Sequence, residues 1–209
     1  MKRIFDVTLV LGASFLLLIP LIGAAVLVKV TSRGPVLYWS DRVGRKNRIF
    51  KMPKFRSMQV GTPAVATHLL ENPDCYLTPV GRFLRKTSID ELPQLWSILR
   101  GDMSLVGPRP ALFNQDDLIQ MRTTLGIQTL LPGLTGWAQV HGRDELNITS
   151  KVDLDYEYLL NQSIKLDVYI LWLTFIKVIF CKFQLSDCQI LMIVNSITQL
   201  IDNQSFVKV

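Results

Sequence analysis

Val7-Thr8-Leu9-Val10-Leu11-Gly12-Ala13-Ser14-Phe15-Leu16-Leu17-Leu18-Ile19-Pro20-Leu21-Ile22-Gly23-Ala24-Ala25-Val26-Leu27-Val28 runs without a single charge. As one helix it is long enough to cross a ~30 Å hydrocarbon layer. Pro20 lies inside it, removes a backbone hydrogen bond and disfavours helical geometry at Ile19, so a break is expected there. The flanks choose between a span and a return. Lys2 and Arg3 precede the run, and Lys29, Arg33, Arg42, Arg45, Lys46, Arg48, Lys51, Lys54 and Arg56 follow it. Basic flanks stay on the cytoplasmic side. A span must put one of them outside, whereas a helix broken at Pro20 that enters and returns keeps both inside. The reading is a re-entrant hairpin over 1–30. A cleaved signal peptide fits less well, because Asp6 interrupts the basic start and the apolar region is too long.

Beyond this run the chain mixes apolar and charged residues. Of its 209 residues 49% are hydrophobic and 19% charged, which suits one domain with a modest core and a local apolar excess. A net charge of +6 points to an anionic partner. No zinc finger or RNA-recognition signature is present, and the cations flank apolar segments, so anionic membrane lipid and phosphate are favoured over nucleic acid. Cys75, Cys181 and Cys188 are odd in number and lack metal-type spacing, which suits a reducing cytoplasm. His68 and His141 are too far apart to argue a zinc site.

The chemistry concentrates in Thr87-Ser88-Ile89-Asp90-Glu91-Leu92-Pro93-Gln94-Leu95 and Met103-Ser104-Leu105-Val106-Gly107-Pro108-Arg109-Pro110. Leu92, Leu95, Trp96 and Leu99 repeat at helical spacing, so the acids look like a helix start. Ser88-x-x-Glu91 fits a capping box and Asp90 complements the helix dipole, a purely structural account. Five cations bracket the pair, however: Arg82, Arg85, Lys86, Arg100 and Arg109. Arg109 is restricted by a proline on either side, which suits bidentate phosphate binding; a stiff turn with an ordinary surface arginine is the alternative.

Elsewhere, Val36 to Trp39 reads as a short strand after a Ser32–Pro35 turn. Arg42 to Arg45 and Phe50 to Met58 alternate basic and apolar residues, as strands or an interfacial ribbon do, although Pro53 puts strand continuity in doubt. Gln59 to Pro79 lacks periodicity and is expected to be a long mobile loop. Leu112 to Leu125 carries a helix-like mixture. Leu131 to Arg143 has glycines at turn-like intervals without the spacing of a dinucleotide fingerprint, and Gln139 and Arg143 are candidate substrate contacts beside turn and surface roles. Asp153 to Leu160 is expected to be helical. Leu166 to Phe183 is expected to lie in the interface or form a buried core helix, its uncharged centre being too short to span. Ile190, Ile193, Val194, Ile197 and Ile201 form a last amphipathic stripe.

The stretches 85–95 and 101–110 resemble the bacterial sugar transferase family, the monotopic polyprenyl-phosphate hexose-1-phosphate transferases, and the similarity runs from Lys2 to about Asp187. Lys2-Arg3-Ile4-Phe5-Asp6 resembles the family's opening motif and would put Asp6 at the membrane surface. Lys54-Phe55-Arg56-Ser57-Met58 matches another block. The resemblance implies a sugar-1-phosphate moved from a UDP-sugar to polyprenyl (undecaprenyl) phosphate, with UMP released and a surface glycan begun.

It further implies Asp90 as nucleophile and metal contact, Glu91 as general base or as a holder of Asp90, and Mg2+ as cofactor. Arg109 would bind phosphate with Arg85 in support, joined by the matched Lys54 and Arg56. An ionised Asp90 is expected from the helix start, the arginines and the metal. Gly142-Arg143-Asp144-Glu145-Leu146 resembles members that take an N-acetylhexosamine or a related sugar. The expected fold is α+β, mostly helical: a re-entrant hairpin (1–30), a cytoplasmic catalytic domain with short strands and interfacial helices (31–187), and an amphipathic extension (188–209). The location would be the cytoplasmic face of the bacterial inner membrane. A non-catalytic basic membrane adaptor, its acids only capping a helix, is the rival reading.

Overall fold

The computed structural model describes residues 1–63, 72–142 and 146–182. It is a mostly helical α+β fold with two small sheets. The chain starts with α1 (Lys2–Leu16) and α2 (Leu18–Thr31), which meet at 64°. Among the described residues no single helix is long and apolar enough to cross a membrane, while this bent pair together is. The break falls at Leu17, one turn before the expected point, and Pro20 lies in the first turn of α2. The reason is the proline ring, which clashes with the carbonyl four residues earlier, at Leu16, while its missing N–H would have been an orphan in a first turn anyway. Pro20 thus starts α2 instead of splitting it.

The outer faces of the pair are apolar and exposed at Phe15, Leu16, Ile19, Ile22 and Val30. Its base is packed. Val10 joins a core with Ile98, Met103, Val106, Tyr158 and Ile170, and Ala24 and Val28 join a second with Phe55 and Leu84. Asp6 is buried here: its carboxylate accepts from the Ser104 hydroxyl at 2.8 Å and the Leu105 N–H at 3.4 Å.

Strands β1 (Leu37–Val43) and β2 (Ile49–Phe55) form an antiparallel hairpin, with Tyr38 opposite Lys54 and Trp39 opposite Pro53. The first expected strand runs on to Val43, the second ends at Phe55, short of Met58, and Pro53 does not interrupt β2. In a two-stranded sheet each strand has an open edge, so a residue without an N–H costs no ladder bond if that side faces out. Met58 bridges to Leu77 across the expected loop, which also holds a short 3₁₀ turn at Pro73–Tyr76.

Next come α3 (Gly81–Lys86), a 3₁₀ turn at Ile89–Glu91, α4 (Gln94–Arg100) and β3 (Ser104–Val106). The expected helix at Leu112 to Leu125 is shorter, α5 (Asp116–Thr124). β4 (Gly133–Thr135) pairs parallel with β3 and leads into α6 (Trp137–Val140). The glycines of this block serve close approach: a Cβ on Gly107 would lie 2.4 Å from the Leu131 carbonyl oxygen, and one on Gly133 would lie 2.2 Å from the Gly107 nitrogen.

Helix α7 (Ile148–Asn161) is longer than expected because Asn147 caps it, accepting from the Ser150 N–H at 2.7 Å. Helix α8 (Ile164–Lys182) combines the two readings of its segment, since Ile170 and Leu173 enter the core while Val168, Phe175 and Val178 are exposed. The stripe from Ile190 to Ile201 lies outside the described residues.

Candidate active site

The acidic pair is not the first turn of a helix. After α3 the backbone reverses through Ser88, which adopts a left-handed conformation (φ 55°), so its hydroxyl makes no cap. Ile89–Glu91 then forms its own 3₁₀ turn, and α4 starts only at Gln94, after Pro93. The capping box is therefore not formed. A left-handed residue cannot aim its side chain along the helix axis as an extended N-cap does.

Glu91 turns to the cations instead. Its Oε1 accepts from Lys54 Nζ at 2.9 Å and from Arg109 Nη2 at 2.8 Å, and the Lys54 and Glu91 side chains are largely buried. Strand β2 delivers Lys54, while Arg109 comes from the proline-flanked turn after β3. That turn is held from three directions. Arg42 Nη1 donates to the Pro110 carbonyl at 3.2 Å, the Val43 N–H to the Ala111 carbonyl at 2.9 Å, and Arg122 Nη1 to the carbonyl of Arg109 itself at 2.8 Å. Arg122 also bonds to the buried Asp155 carboxylate through Nε and Nη2, so α5 and α7 together fix the arginine backbone.

Asp90 is only 7% exposed, yet among the described residues no hydrogen bond reaches its carboxylate. Burial pushes its pKa up to about 6. Lys54 works against that rise, Glu91 adds to it, and Arg85 and Arg109 also oppose it. Desolvation thus outweighs the cations, and Asp90 lies in a 3₁₀ turn and not at the start of an α-helix. Burial likewise lowers the Lys54 ammonium, with Arg109 and Arg42 adding to the fall and Glu91 and Asp90 resisting it. Arg42 is lowered to about 10, by burial first and then by Arg109.

The structure gathers Asp90, Glu91, Lys54, Arg85 and Arg109. Two other candidates have surroundings of their own. Arg56 bonds to Ser32 at the end of α2, and Gln139 sits on α6 with its amide buried and unpaired. Arg143, with the rest of 143–145, lies outside the described residues. Sequence reading missed Arg42 and Arg122 as parts of the site. Arg42 stood out as one of many cations, and nothing local joins Arg122 to Asp155, 33 positions later, or to the Arg109 carbonyl.

No cluster of three metal-type side chains occurs among the described residues. The donor set still fits magnesium, which keeps its waters and takes one or two carboxylates plus substrate phosphate oxygens. Asp90 can supply that carboxylate, whereas Glu91 Oε1 is engaged by two cations.

The family model described as bacterial sugar transferase matches residues 1–181. An undecaprenyl-phosphate glucose phosphotransferase of Komagataeibacter xylinus is 42% identical over 196 residues, 87% of this chain and 36% of that protein. A UDP-N-acetylgalactosamine-undecaprenyl-phosphate N-acetylgalactosaminephosphotransferase of Aeromonas hydrophila is 39% identical over 159 residues, 74% of this chain and 38% of that protein. The chain thus spans little more than a third of the length of these two. It matches 87% of the uncharacterized sugar transferase EpsL of Bacillus subtilis, at 38% identity over 86% of its own length.

Proposed function

The chain belongs to the bacterial sugar transferase family, and from that premise we propose that it moves a sugar-1-phosphate from a UDP-sugar to a polyprenyl phosphate, releasing UMP and starting a surface glycan. The reaction runs at the cytoplasmic face of a bacterial inner membrane, with α1 and α2 as a re-entrant hairpin. A soluble nucleotide and a lipid phosphate meet only at such a surface. The bent, externally apolar pair with basic residues on either side supports that placement.

One observation carries the chemical reading: a buried carboxylate, Asp90, that no hydrogen bond reaches among the described residues, beside a glutamate that gathers Lys54 and Arg109. In the proposed sequence an Asp90 oxygen attacks the sugar-linked phosphorus. The bond to the UMP oxygen breaks and an acyl phosphate forms. An oxygen of polyprenyl phosphate then attacks the same phosphorus, and the Asp90 carboxylate leaves unchanged. Lys54 and Arg109 face the diphosphate charge, Arg85 supports them, and Arg42 and Arg122 hold the Arg109 turn. Glu91 keeps the two cations in place, which fits a holding role better than a proton-transfer one. Asp90 would hold Mg2+, which would supply masking of the diphosphate charge and stabilisation of the leaving oxygen. Gln139 and Arg143 are proposed substrate contacts. The relatives' names include glucose and N-acetylgalactosamine at similar identity, so family membership does not fix the sugar.

The test is to incubate the protein with magnesium and a UDP-sugar labelled in the sugar, without lipid acceptor, and map bound label by peptide. Label on Asp90, UMP released in equal amount and none from Asp90→Asn are expected. A fully active Asp90→Asn protein ends the covalent reading, and a wild type that releases no UMP with any UDP-sugar, with or without polyprenyl phosphate, leaves the adaptor.

A further inference from the structure

Arg56 is only 5% exposed, and two of its three guanidinium nitrogens are without a partner. Its Nη2 donates to the Ser32 carbonyl at 3.1 Å and the Ser32 hydroxyl at 2.7 Å, whereas Nε and Nη1 find no acceptor. A guanidinium cannot shed its charge to escape that cost, so orphan donors on a buried arginine call for an acceptor. Beside it lies a cavity of about 330 Å3, lined by Arg56, Ser32, Arg33, Gln59, Val60 and Thr78. It has two arginines, two hydroxyls and one amide at its wall, and no carboxylate. Such a lining fits a compact anion with several acceptor oxygens.

The loop over Arg56 is shaped to it. Gly34 has φ 117° and lies so close that a Cβ there would come within 2.2 Å of Arg56 Nη1. The site is distinct from the acidic pair, since none of Asp90, Glu91, Lys54, Arg85 and Arg109 lines the cavity. Its position identifies the anion. Ser32 and Arg33 directly follow α2, whose exposed Val26, Leu27 and Val30 form an apolar edge leading to the cavity. We propose that this cavity binds the phosphate headgroup of a membrane lipid, with Arg56 as its buried anchor and the exposed Arg33 at its mouth. The assignment rests on the hairpin lying in a bilayer. It needs no turnover, so it stands or falls apart from the transfer reaction.

The experiment uses the full chain in detergent, titrated with dioctanoyl phosphatidic acid, dioctanoylglycerol or inorganic phosphate, with binding read from the rise in melting temperature. Phosphatidic acid is expected to bind, and dioctanoylglycerol is not. Arg56→Lys keeps the charge but loses the planar fork, so binding should weaken about tenfold. Arg33→Gln should weaken it roughly fivefold, while Arg48→Gln, at an exposed cation outside the cavity, should not change it. Inorganic phosphate binding as tightly as the lipid would reduce the cavity to a free-anion site. Wild-type affinity in Arg56→Lys, or displacement of the lipid by a UDP-sugar, overturns the proposal. If Arg56→Lys does not fold, Arg33→Gln decides alone, and unchanged binding there overturns it too.

Discussion

Four aspartates are buried among the described residues, and they fall into two kinds. Asp6, Asp155 and Asp167 each have dedicated donors: Ser104 and Leu105 for the first, Arg122 for the second, Lys2 and Tyr158 for the third. Asp90 has the burial without the donors. A carboxylate fixed by hydrogen bonds is stabilised as an anion and is a poor nucleophile, because its lone pairs are engaged. One that is desolvated but only electrostatically supported keeps its lone pairs for another atom. The difference separates residues that hold the fold from one that can attack, although all four look alike by burial.

The comparison is tested most strongly at Asp90. Asp90→Asn should lower turnover on the order of 10³-fold or more. It should at the same time stabilise the fold at pH 7.5. The folded-state pKa, about 6, lies above the unfolded value, so folding favours the protonated form, and stability is lost as pH rises from about 4 through 6, the loss being complete above that. Removing the charge relieves about 1 to 3 kcal/mol at neutral pH, a gain that fades as pH falls toward 4. Urea denaturation at the two pH values reads it, and a destabilised asparagine variant would place Asp90 with the structural aspartates. The same pKa predicts that kcat/KM for the wild type falls on the acid side with a midpoint near 6, since the attacking form is the deprotonated one.

Asp155→Ala should have the opposite profile. It leaves Arg122 buried and unpaired, for a loss of about 3 to 5 kcal/mol in stability. Arg109→Ala should lower turnover on the order of 10²-fold with little change in melting, and lysine should restore little because it lacks the planar fork. Near-normal turnover in the lysine variant would leave Arg109 only a charge role. The smallest effect is expected at Ser104→Ala, about 1 to 3 kcal/mol from a weakened Asp6 contact, with turnover per folded molecule unchanged.

Features that local rules control were legible in the sequence. The uncharged run, its break and its basic flanks announced the bent pair, and the misplacement by one turn came from taking Pro20 as the break and not as the start of the second helix. The acids with their surrounding cations marked the site, and Lys54, Arg85 and Arg109 do converge on them. Capping failed as an account because pattern alone cannot reveal that Ser88 takes a left-handed backbone. The burial of Asp6 was hidden for a related reason: the residue that holds it, Ser104, lies 98 positions away. Arg122 was hidden the same way, because its partners come from other elements.

The bond from Lys2 to Asp167 links positions 165 residues apart, one at the start of α1 and the other on α8. Ring closure over that length comes late in folding, when most of the intervening chain is already compact. Asp6 can dock on Ser104 as soon as β3 is in place, whereas the Lys2 ammonium has no carboxylate until α8 packs. The bond therefore reports completion: only a chain folded from α1 through to α8 can make it.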